Sequence, residues 1–187
     1  MITSREMALS PFETALLQEN TFESGKPVVG RSLVIILVIL FALLYAPPAQ
    51  TAEVPLEAGS LLSVLNGDRL QYGLTPLAAN QKLVVAATAK AKDILERGYF
   101  AHTSPSGTKP WDFIKAANFQ FAFAGENLAI NYSSAFDLQK DFMNSPAHRE
   151  NLLSPLFSEV GIAVVSGSYQ GKPALVTVEM FGSPLSP

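Results

Sequence analysis

The apolar positions of this chain fall into two regimes. From Leu33 to Ala46 the sequence reads Leu-Val-Ile-Ile-Leu-Val-Ile-Leu-Phe-Ala-Leu-Leu-Tyr-Ala without a charge, and beyond residue 56 apolar residues recur at helical and then at strand spacings. Leu61, Leu62, Leu65 and Leu70 predict a first amphipathic helix, which Gly73 stops before a turn over Leu74-Thr-Pro-Leu77. A second helix has a full set of signals. Asn80 stands at its cap, Leu83, Ala87, Ala91, Ile94 and Leu95 form its buried stripe, and Gly98 suits the left-handed position past its end. Trp111 to Ala117, after Pro110, predicts a short third helix, and Ala135, Leu138 and Phe142 a fourth that ends at Ser145-Pro146. The period then changes. Val160, Ile162 and Val164 alternate with Gly161, Ala163 and Val165, and Leu175 to Phe181 makes a second strand after the turn-rich Ser166–Gly171. Helices followed by an antiparallel pair predict an α+β fold with the sheet between helices.

The uninterrupted run has a different meaning. Fourteen helical residues span only about 21 Å against a hydrocarbon core of roughly 30 Å, a length that suits a signal-peptide core. The polar segment before it is long for a signal peptide, however, and Ala49-Gln50-Thr51-Ala52 is a poor cleavage site. A helix carried back through Val28 and Val29, with Arg31 snorkelling, would be long enough to span, so residues 32–49 are expected to form the hydrophobic segment of a signal anchor, with a cleaved signal as the alternative. Lys26 and Arg31 precede it, so residues 1–31 are expected in the cytoplasm and everything after Pro47 across the membrane. Residues 50–59 are a linker, and 60–183 one domain.

Composition narrows the chemistry. Beyond residue 52 the chain carries 10 Lys and Arg against 12 Asp and Glu, with no basic patch, which disfavours nucleic acid as a partner. The chain has no cysteine, so disulfides, thiolate nucleophiles and Cys-ligated zinc are excluded. It has two histidines, each in a polar, turn-rich phrase: His102 in Tyr99-Phe-Ala-His-Thr-Ser-Pro-Ser-Gly107, and His148 in Asn144-Ser-Pro-Ala-His-Arg-Glu-Asn-Leu-Leu153. Between them, Glu126 sits in an apolar stretch, where a carboxylate needs a cation, a metal or a hydrogen-bond donor as company. His148 and Glu150 point different ways on a helix, and no H-E-x-x-H, G-x-S-x-G, P-loop or dinucleotide fingerprint is present.

In order, Leu65-Asn-Gly-Asp-Arg69, Gly73-Leu-Thr-Pro-Leu77, Tyr99-Phe-Ala-His102, Ala124-Gly-Glu-Asn-Leu-Ala129, Asn144 to Leu153, Glu159-Val-Gly-Ile162 and Phe181-Gly182 resemble the bacterial branch of the CAP superfamily. That group comprises cysteine-rich secretory, antigen 5 and pathogenesis-related 1 proteins and is also called SCP. The resemblance covers about residues 60–183. It implies an α-β-α sandwich, a secreted or surface-exposed location and a cavity lined by two His and two acidic residues that in several members binds zinc or another divalent cation. His102, Glu126 and His148 match three of those positions and are the metal ligands it implies. Ser145 stands near the fourth, where relatives carry a Glu.

Three functions stay open on the sequence. The first is a membrane-tethered, extracytoplasmic binding module whose cavity holds a cation and contacts a lipid, an envelope polymer or a protein. The second is a metal-dependent hydrolase, peptidase-like or directed at the cell wall, with Glu126 as general base to a zinc-bound water. In the third, the polar cluster is a structural hydrogen-bond network.

Overall fold

A computed structural model describes residues 55–185. The anchor expected over 32–49, the segment before it and the first part of the linker lie outside the described residues, among which no helix is long and apolar enough to cross a membrane. Among the described residues, five helices and four strands follow one another as α1 (Ala58–Gln71), β1 (Ala78–Ala79), α2 (Gln81–Arg97), α3 (Pro110–Ala116), β2 (Phe121–Ile130), α4 (Ala135–Asn144), α5 (Pro146–Leu152), β3 (Glu159–Tyr169) and β4 (Lys172–Pro184). The strands form one sheet in the order β1-β3-β4-β2, with β1 parallel to β3 and both other pairings antiparallel.

The sheet lies between two helical layers, the sandwich expected, because its strands are apolar on both faces. On one side Val160, Ile162 and Phe181 pack with Leu61 and Leu65 of α1, Leu138 and Phe142 of α4 and Leu152 of α5. On the other, Ala163, Val176, Val178 and Met180 pack with Leu83, Ala87, Ala91 and Ile94 of α2.

α2 follows its sequence signals closely. The Asn80 side chain accepts from the backbone N–H of Lys82 at 2.8 Å and of Leu83 at 3.4 Å, and Gly98 closes the helix at φ 66°. Asn80 Nδ2 also donates to Glu159 Oε2 at 2.8 Å, tying the start of the helix to the start of β3. Asn80→Ala removes both links and should destabilise the protein by about 1–2 kcal/mol, seen as a lower melting temperature, whereas Asn80→Ser should retain most of the cap.

α1 departs from its pattern by one residue. Leu70 is 61% exposed, and its neighbour Arg69, only 2% exposed, takes the inward place. The Arg69 guanidinium donates to the carbonyls of Thr75, Leu152 and Ser154 at 2.7–3.0 Å, so a charge replaces a leucine where α1 meets the end of α5. That end has carbonyls with no helical partner, which a cation satisfies and an apolar side chain does not. The sequence also predicts only two strands. β2, the unpredicted edge strand, carries Glu126.

Candidate functional site

Alternation along β2 sends Glu126 and Leu128 toward α2, and Asn127 and Ala129 toward the opposite layer. The site therefore surrounds one edge of the sheet. On the α2 side, the loop after Gly98 brings His102 over Glu126, and His102 Nδ1 lies 2.7 Å from Glu126 Oε1. The imidazole is 61% exposed while the carboxyl is 1% exposed, so one partner faces solvent and the other is embedded. Burial pushes the Glu126 carboxyl up to about 7, against the hydrogen bond from His102 and the positive charges of Lys90 and His102. With the carboxyl ionised, Nδ1–H donates to it and the imidazole keeps Nε2 for a ligand. Glu126 Oε2 is buried and has no partner among the described residues.

On the other side, α5 supplies His148 and Asn151. Asn151 Nδ2 donates to the Glu126 carbonyl at 3.1 Å and to Asn127 Oδ1 at 2.9 Å, which anchors the helix to the outer edge of β2. Asn127 Nδ2 in turn donates to Glu179 Oε2 of β4 at 3.1 Å and reaches the His148 carbonyl at 3.4 Å. The His148 ring stacks at a tilt on Phe142, with centroids 4.7 Å apart, and its Nδ1 lies 2.9 Å from Ser145 Oγ. Burial, and secondarily the charge on His102, hold His148 below the ordinary imidazole range. Gly125 lets this arrangement close: a Cβ there would lie 2.7 Å from Asn151 Oδ1 and 2.9 Å from the Phe157 ring.

A cleft of about 370 Å³ opens beside the pair, lined by His102, Thr103, Lys109, Trp111, Glu126 and Asn151 among others. His148 and Ser145 are not part of its lining. Of the four residues expected to share a cavity, His102 and Glu126 meet directly, and His148 joins them only through its carbonyl and the Asn127–Asn151 bridge. Among the described residues no three His, Asp or Glu side chains are grouped as a metal-ligand set, so His102, Glu126 and His148 do not converge in this arrangement.

Sequence reasoning passed over Asn127, Asn151, Glu179, Trp111 and Lys90. Asn127 and Asn151 lie within the phrases that carried the resemblance. Lys90 could have been found as a charge inside the apolar stripe of α2, one turn from Ala87 and Ile94.

The profile of the family described as CAP, the cysteine-rich secretory protein family, matches residues 62–181. The chain is 36% identical over 109 residues to the uncharacterized protein YkwD of Bacillus subtilis, covering 58% of this chain and 42% of that protein. It is 30% identical over 104 residues to the uncharacterized membrane protein YlbC of the same organism, covering 56% of this chain and 30% of that one. The matches thus span less than half the length of these curated relatives. Among solved structures, an extracellular SCP-domain protein of Bacillus anthracis matches with a TM-score of 0.59 at 27% identity, over 67% of this chain and 39% of that one. An outer surface protein of Borrelia burgdorferi matches in fold with a TM-score of 0.62 at 21% identity, over 71% of this chain and 99% of that one.

Proposed function

The chain belongs to the CAP, or cysteine-rich secretory protein, family, and from that premise we propose that it is a membrane-tethered, extracytoplasmic binding module whose cleft takes a saccharide polymer of the cell envelope. The carrying observation is the make-up of the cleft. Trp111, the one tryptophan of the chain, is 36% exposed on its wall, and His102, Thr103, Lys109, Glu126 and Asn151 supply polar groups around it. A pyranose ring has an apolar face that an indole can cover and a rim of hydroxyls that such groups can bind. The location is supported by the apolar run over 32–49, by the extracellular relative from Bacillus anthracis and by the membrane protein YlbC.

A single tryptophan at the cleft makes its fluorescence a reporter of occupancy. Titrating the full chain in detergent with peptide-free glycan strands should give a saturable change, and His102→Ala should weaken the affinity at least about tenfold, or 1.4 kcal/mol. A flat glycan titration alongside a saturable response to anionic lipid vesicles, or to peptide alone, would replace the polymer with that ligand.

A divalent cation such as zinc is a second reading, favoured by the partnerless buried Glu126 Oε2 and by His102 Nε2, with His148 as the third expected ligand. The present arrangement does not draw the three together, so His148 would have to turn from Ser145. Zinc calorimetry tests the idea directly. Binding should disappear in the His102→Ala/His148→Ala double variant, and undiminished binding there would remove both residues from the ligand set.

A further inference from the structure

We propose that Lys90, a residue of α2 outside the cleft, is the positioning residue of the His102–Glu126 pair. Lys90 is 0% exposed, and each proton of its ammonium has an acceptor: Tyr99 Oη at 3.0 Å, the Ala101 carbonyl at 2.9 Å and the His102 carbonyl at 2.7 Å. The two carbonyls belong to the peptide planes on either side of the His102 Cα. Fixing both planes fixes the backbone angles of His102, and hence the direction in which its side chain leaves the chain. The third acceptor is itself held, since Tyr99 Oη donates to Asp93 Oδ2 at 2.5 Å and Asp93 pairs with Arg97 at 2.7 Å, all referred to the same helix.

Nothing else performs this task among the described residues. Ala101, His102 and Thr103 are exposed, so apolar burial does not hold them. The loop's own backbone bonds, Ser104 N–H to the Thr108 carbonyl and Gly107 N–H to the Ser104 carbonyl, tie the following turn and leave residues 99–103 without a backbone partner. A buried lysine is costly unless its charge is satisfied, and a neutral residue in the apolar stripe would serve packing better. The ammonium is explained by what it grips: the backbone on both sides of an exposed histidine whose ring must meet a buried carboxyl.

The absence of cysteine allows a test in which only the charge changes. Lys90→Cys in the full chain, alkylated while unfolded and then refolded, regains the lysine shape with an ammonium when aminoethylated and without one when propylated. The readout is the ring nitrogen spectrum of the two histidines, in which the bonded Nδ1 proton of His102 is assigned by its loss in Glu126→Ala, which removes the acceptor. That signal should be present in the wild type and the aminoethyl protein and lost in the propyl protein, whose His148 signals and amide dispersion stay in place. Persistence of the His102 signal in the folded propyl protein, or failure of the aminoethyl group to restore it, overturns the proposal. Should the propyl protein not fold, Lys90→Gln, a shorter neutral side chain, takes its place with the same expected loss. The inference deepens the reading of the cleft as a binding site, but its readout needs no ligand, so it stands or falls separately from the glycan titration.

Discussion

Gly161→Ala is expected to destabilise the protein by at least about 3 kcal/mol and to lower its melting temperature by about 10 °C or more. At this point of β3, α2 lies directly on the sheet with no side chain between. A Cβ on Gly161 would sit 2.0 Å from the carbonyl carbon of Leu83, 2.2 Å from the nitrogen of Val84 and 2.5 Å from the oxygen of Leu83. All three are backbone atoms of the first turn of the helix that Asn80 caps, so no rotamer change relieves the contact; the helix must move from the sheet and loosen the layer around Leu83 and Ala87. Two other glycines supply the contrast. Gly167→Ala meets Leu95 Cδ1 at 2.9 Å, the mobile end of a side chain, and should cost less than about 1 kcal/mol. Gly59→Ala, in α1 with nothing within 4 Å, should stabilise by about 0.5–1 kcal/mol through the reduced freedom of the unfolded chain. Thermal unfolding of the three variants checks the order. A Gly161→Ala protein melting with the wild type would show that the helix and sheet are not in close contact there.

Gly161 lies in the phrase Glu159-Val-Gly-Ile162, and its example shows how unevenly the structure can be read from the sequence. α2 was legible end to end because local signals agree: a cap, a stripe at helical spacing and a glycine past the end. α1 misled by one residue because leucine spacing says nothing about carbonyls in a distant turn, and those carbonyls draw Arg69 inward in place of Leu70. β2 was hidden for a related reason. Its residues from Gly125 to Ala129 are buried although two of them, Glu126 and Asn127, are polar, so neither alternation nor a continuous apolar run marks it as a strand. The candidate site divides the same way. The motifs located His102 and Glu126, which meet, but the spacing of His148 in the chain cannot reveal that its ring turns to Phe142 and Ser145 while only its carbonyl reaches Asn127.

The second large effect expected is a loss of stability as pH rises, with Glu179 as its principal source. Glu179 is fully buried in β4, its Oε2 accepts from Asn127 Nδ2 and its Oε1 has no partner among the described residues. Burial pushes its carboxyl from 4.5 up to about 8, opposed in part by the Asn127 bond. Between those two values the folded protein keeps a proton that the unfolded chain releases, so stability is fully present below about 4.5 and falls as pH rises toward 8. At about 1.4 kcal/mol per pH unit, Glu179 accounts for at most about 5 kcal/mol over that window. Glu126, raised by burial to about 7, acts with the same sign over a narrower range. Urea denaturation at pH 5, 6.5 and 8 should therefore show the wild type weakest at pH 8. Glu179→Gln preserves an acceptor for Asn127 but cannot ionise, and it should retain only the part of the slope that ends near pH 7. A Glu179→Gln slope equal to that of the wild type would locate the titration elsewhere. The Asn127 that Glu179 holds also accepts from Asn151 and reaches the His148 carbonyl. Because the Asn127 bond favours the ionised carboxyl, the cost of ionising Glu179 comes from its burial in β4, and Glu179→Gln is expected to keep the Asn127–Asn151 bridge that fastens α5 to the edge strand bearing Glu126.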